Sequence, residues 1–128
     1  MQTSSSRLHR QILLVLAMLS LAPAALAHHS FAMFDATQTL TARAEVKEFQ
    51  WTSPHAWLEL VLSDESGKER SLSLEMNGTS GLREHGWKPG TLKRGDTVTV
   101  VYHPMRDGMP AGQLMQITTA DGRKLTGQ

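Results

Sequence analysis

Four of the six histidines and two of the seven methionines stand where they could offer ligand chemistry. His28 and His29 are adjacent, His55 follows Pro54, His103 precedes Pro104, and Met105 and Met109 share a loop with His103. Imidazole nitrogen favours Cu(II), with Zn(II) next, and thioether sulfur suits Cu(I). A cut after Ala27 would give His28 a free α-amine beside its ring. Those two nitrogens can chelate one ion, and an imidazole from His55 or His103 then completes a three-nitrogen copper site; His29 is the alternative to His28. No single element carries metal spacing, because there is no H-x-x-x-H, no cysteine and no dense carboxylate cluster. The fold must therefore bring the ligands together. The same residues also read as structural, a His-His pair as a solvated tail and imidazoles beside proline as caps on backbone groups in turns. His85 belongs to that second reading, in the last turn of a short helix where it meets the carbonyl end.

Trp51 and Trp57 bracket the Trp51-Thr52-Ser53-Pro54-His55-Ala56-Trp57 corner. They can stack a planar or sugar ligand, or Trp51 can pack beneath Phe31 and Phe34 of an N-terminal arm. Arg106 can contact an anion, while Arg106-Asp107-Gly108 also reads as a turn with glycine at positive φ. Glu45, Glu59 and Glu75 fall on outward strand positions, facing solvent. Ser30 and Ser53 have no base and orienting acid arranged about them, and no glycine-rich phosphate loop is present. No enzyme activity is expected.

The elements that must position these residues are mostly strands. Leu40, Ala42, Ala44 and Val46 alternate with polar residues, and then Phe49 and Trp51 fall in the opposite phase, which predicts a bulge near Lys47 and Glu48. His55–Ser63 and Glu69–Met76 alternate cleanly about a polar turn at 64–68. Residues 77–86 carry the punctuation of a short helix, ended by Gly86 in the left-handed region. A fourth strand runs over Thr97–His103, a fifth over about 112–119, and Asp121-Gly122 turns the chain toward Leu125. This order predicts an all-β, five-stranded OB-like Greek-key barrel with one short helix between strands three and four; an SH3-like barrel or a small sandwich is the rival. With strand four taken to run the same way as strand one, the loops after strands one and four would share one rim, carrying His55 and His103.

Residues 1–27 read as a secretory signal: Arg7 and Arg10, an apolar run from Ile12 to Leu21, then Ala25-Leu26-Ala27 as a cleavage site. The run is shorter than the roughly 20 residues a spanning helix needs. Residues 28–38 then form an arm and 39–128 one barrel domain. Two phenylalanines and a methionine favour docking of the arm, since apolar surface costs about 25 cal/mol per Å² in water. The chain has 13 basic and 12 acidic residues; without Arg7 and Arg10 the count is 11 against 12, a formal charge of −1. That balance excludes general nucleic-acid binding, which needs a field of cations. Zero cysteine in an oxidising compartment leaves stability to packing alone.

The segments AHHSFAMFD, WTSPHAWLEL, HGWKPGTLKRGDTVTV, YHPMRDGMPAG and ADGRKL together resemble a family of small exported bacterial proteins of unknown function, domain of unknown function 6152. The resemblance implies export and assigns no catalytic residue. The expectation is thus a monomeric periplasmic binding module with no membrane span after cleavage. It would bind a metal ion, copper before zinc, through His28, His29, His55 and His103, or else serve as a protein-interaction or structural module whose partner is an envelope protein.

Overall fold

The period-two alternation of the sequence becomes six strands and one short helix in the computed structural model, which describes residues 32–128. The expected signal segment, His28, His29 and Phe31 lie outside the described residues. The elements are β1 (Leu40–Gln50), β2 (Trp57–Ser63), β3 (Glu69–Glu75), α1 (Thr79–Glu84), β4 (Thr97–Pro104), β5 (Ala111–Thr119) and β6 (Lys124–Thr126). Strand order is β3-β2-β1-β4-β5-β6, and β3 also pairs with β5, so five strands close into a barrel. The β3–β5 seam is parallel and every other ladder is antiparallel. This is the OB-like order with a helix between the third and fourth strands. The sixth strand takes up the edge of β5 at 116–118, beyond the 111–113 segment that meets β3.

Barrel closure depends on the bent first strand. Leu40–Glu45 pairs with β4 and Glu45–Gln50 with β2, and the register slips between Val46 and Glu48. Lys47 is the extra residue of that bulge, which lets Val46 and Phe49 both face inward and bends the strand between two neighbours. A second slip between Val101 and Tyr102 does the same for β4 and β5. Inward residues of all five strands then form one core with Leu82 of α1, Trp87 and Leu92. Trp87 is fully buried, packs on Phe49 at 5.5 Å between ring centroids, and donates Nε1–H to the Thr126 carbonyl at 2.7 Å. It plugs the barrel end that α1 covers and pins β6 there. Gly86, at φ +84°, follows the helix, and a residue with a Cβ would be strained at that backbone angle.

One expectation is corrected. Strand β4 runs antiparallel to β1, with Leu40 opposite Tyr102 and Glu45 opposite Thr97. The connection over residues 87–96 explains the direction: Thr91 N–H donates to the Lys88 carbonyl and Asp96 N–H to the Lys93 carbonyl, so two tight turns consume its length. The chain stays at the α1 end and β4 returns from it. Measured along β1, the loops after β1 and β4 therefore leave from opposite ends.

The segment before β1 lies on the β4–β5 loop. Phe34 is buried and bridges to Met105, Asp35 N–H donates to the Pro104 carbonyl, and Arg106 N–H donates to the Met33 carbonyl. No helix among the described residues is long and apolar enough to cross a membrane.

Candidate functional site

The loop from Trp51 to Ala56 is held from several directions. Thr52 Oγ1 donates to the His55 carbonyl at 2.8 Å, Ser53 Oγ lies 2.9 Å from Thr79 Oγ1 of α1, and Ala56 N–H donates to the Asn77 carbonyl. The Ser53–Pro54 peptide is cis. Gly78, just before α1, approaches the Pro54 carbonyl so closely that an added Cβ would stand 2.6 Å from that oxygen. This packing fixes the corner against the start of the helix and leaves His55 at its exit.

His55 Nδ1 lies 3.0 Å from Glu75 Oε1 and 3.3 Å from the Met76 carbonyl. Both neighbours are acceptors, so Nδ1 carries the hydrogen and donates it. In the neutral ring Nε2 then keeps its lone pair, and the imidazole is about one-third exposed. A histidine whose Nδ1–H is held by a carboxylate is the usual outer arrangement of a metal-binding imidazole, since the carboxylate fixes the tautomer and raises ligand basicity. Glu75 was expected to face solvent; it is 7% exposed. Its side chain does point away from the barrel interior, but Trp57 stands opposite it on β2 and Gln113 beside it on β5. The outward position was legible; its neighbours were not.

His103 occupies a related position. Following paired residues around the closed barrel gives the row Gln50, Trp57, Glu75, Gln113, His103, all on the outer face. Strand tilt makes this row start at the C-terminal end of β1 and return near its beginning, the stagger that closure requires. Glu75 and His103 are two strands apart, about 10 Å at ordinary strand spacing. His103 Nδ1–H donates to the Gln38 carbonyl at 2.7 Å, two residues before β1. The two rings meet different acceptors, Glu75 and Met76 for His55 and Gln38 for His103, and no group of three or more metal-ligating His, Cys, Asp or Glu residues is found among the described residues.

The other predicted residues separate too. Trp51 meets Phe49 edge-on at 5.8 Å, with the Arg83 guanidinium 5.5 Å from its ring centroid. It belongs to the α1 end of the barrel, whereas Phe34 sits at the β4–β5 loop, so the expected packing of Trp51 beneath Phe34 is not what forms. Trp57 is partly exposed on the outer row. Arg106 Nη1 lies 3.9 Å from Asp35 Oδ1, and Asp107 Oδ1 accepts the Met109 N–H beside Gly108 at φ +77°, as a turn requires. Hydrogen bonds from Thr37 and Gln38 hold the Asp35 carboxyl below its usual value, with Arg106 adding a smaller pull. His85 Nδ1–H donates to the Gly81 carbonyl at 3.0 Å, the helix-end role its position suggests.

No curated protein and no solved structure matches this sequence. Residues 16–115 match the group described as a family of unknown function (DUF6152), a span that takes in the corner, β1 to β4, α1 and the start of β5. The chain belongs to that family.

Proposed function

We propose that this protein is an exported metal-binding module of the bacterial envelope, with copper as the preferred ion and His55 as an imidazole ligand. The observation that supports this reading is the 3.0 Å contact between His55 Nδ1 and the buried carboxylate of Glu75, which presents Nε2 on a rigid corner. Imidazole nitrogen of this kind suits Cu(II) first and Zn(II) second. The remaining donors are the α-amine and ring of His28 after cleavage, or the ring of His29. His103 is not assigned to the same ion, because its ring is held toward Gln38.

Protein produced from the full sequence and recovered after export should begin at His28 and bind one Cu(II) in a calorimetric titration. Electron paramagnetic resonance should show nitrogen ligation. His55→Ala, and separately a form with one residue added before His28, should each bind at least tenfold more weakly. Absence of copper and zinc binding by processed protein would overturn the reading.

A further inference from the structure

Among the described residues, the barrel end opposite α1 is uncovered. Inward-facing positions there are Leu40 at the start of β1, Leu62 at the end of β2, Arg70 and Leu72 at the start of β3, and Tyr102 near the end of β4. They line a cavity of about 560 Å³, walled on one side by the 105–110 loop with Met105 and Met109. Its floor is the core: Leu62, Leu72 and Tyr102 are buried, while Leu40 and Met109 at the lip are 40% and 61% exposed. A volume of this size holds a small organic molecule.

Arg70 departs from the pattern. It shares the inward phase of Leu72 and Leu74 and pairs directly with Leu62, so a guanidinium stands where the alternation calls for an apolar side chain. No ion pair engages it among the described residues. Its charge exerts a small pull on Asp64, whose Oδ1 already accepts Ser66 N–H, Ser66 Oγ–H and Lys68 N–H. Asp35 also lines the cavity, but its carboxylate faces Arg106 and accepts from Thr37 and Gln38. The cavity thus combines leucine, methionine and tyrosine walls with two guanidiniums, Arg106 facing Asp35 and Arg70 with no ion pair among the described residues, and the planar fork of Arg70 matches a carboxylate.

From this we infer that the open barrel mouth binds a small amphipathic monoanion, an apolar body seated on Leu40, Leu62, Leu72 and Met109 with its carboxylate on Arg70. The occupant is a free small molecule, and the site is independent of the copper reading.

The test uses protein from the full sequence in a chelating buffer, so that metal plays no part, titrated calorimetrically with decanoate, decanol and decyltrimethylammonium. Decanoate should bind one to one, and more tightly than either the alcohol or the cation. Arg70→Gln should weaken decanoate at least tenfold and leave decanol unchanged, with Arg70→Lys intermediate. Arg70 is exposed, so these variants should fold as the parent does, which circular dichroism checks. Methyl resonances of Leu40, Leu62, Leu72 and Met109 should shift on binding. Equal affinity for decanoate and the cation, an unaltered affinity in Arg70→Gln, no binding of decanoate, or shifts confined to another face would each overturn the inference.

Discussion

His55 and Glu75 are 20 positions apart in the chain and meet at 3.0 Å because the β1–β2 corner delivers the imidazole to the last residue of β3. The carboxylate is buried and the ring is not, so the pair orients Nε2 outward. Glu75→Gln keeps the size and one acceptor but removes the charge. Copper affinity should fall by about 10- to 100-fold, the usual effect of losing an outer carboxylate on a ligating histidine. A copper titration beside a thermal melt separates this from unfolding. Unchanged affinity in a folded Glu75→Gln protein would remove the argument for His55.

Gly78 offers a way to disturb the same corner without touching a ligand. A methyl group there meets the Pro54 carbonyl at 2.6 Å, a contact with backbone that cannot rotate away. Gly78→Ala should cost about 1–3 kcal/mol in denaturant unfolding, the range for forced overpacking. It should also move the amide resonances of Ser53, His55 and Thr79. A neutral effect on both would mean that the corner is looser than its hydrogen bonds indicate.

Acid should weaken the loops before it weakens the core. Asp35, Asp64 and Asp121 all have carboxyls held below the ordinary value, chiefly by hydrogen bonds from Thr37, Ser66 and Thr119 respectively. A folded-state pKa below the unfolded one adds stability above the unfolded value and loses it as pH falls through the folded value. Carboxyl carbon shifts should therefore titrate lower in the native protein than in urea for these three. Ser66→Ala should move the Asp64 midpoint upward and leave the Asp35 midpoint in place.

The five barrel strands were legible because each has one buried face, whereas β6, with no buried residue, was read only as a short ending. The phase slip from Val46 to Phe49 located the bulge, and Asn77 to Gly86 located α1, since both signals are local. The direction of β4 was not local: it depends on how much length the turns at Lys88–Thr91 and Lys93–Asp96 consume. For the site, the Pro54 corner was legible from composition, whereas the burial of Glu75 depends on Trp57 and Gln113 beside it, which only barrel closure supplies. Arg70 did carry a sequence signal that alternation makes visible, a charge in the apolar phase of Leu72 and Leu74. The placing of His55 and His103 on one rim followed from the wrong direction for β4, and antiparallel pairing with β1 removes that premise.

Trp87 tests whether the closed end of the barrel is held by the volume of the ring or by the indole hydrogen bond to Thr126. The ring is 1% exposed, packs on Phe49 and donates Nε1–H to Thr126 of β6. Trp87→Phe keeps most of the apolar contact but leaves the Thr126 carbonyl without that donor, a loss of about 1 kcal/mol. Trp87→Ala removes the volume as well and should cost about 3–5 kcal/mol. The two variants should also differ in where they act. Faster amide exchange in Trp87→Phe should be confined to β6 and the residues 116–118 that pair with it, because only their tether is lost. In Trp87→Ala it should spread to β1 and α1, whose Phe49 and Leu82 share that core. Equal costs for the two variants would show that the hydrogen bond, not the packing, secures this end.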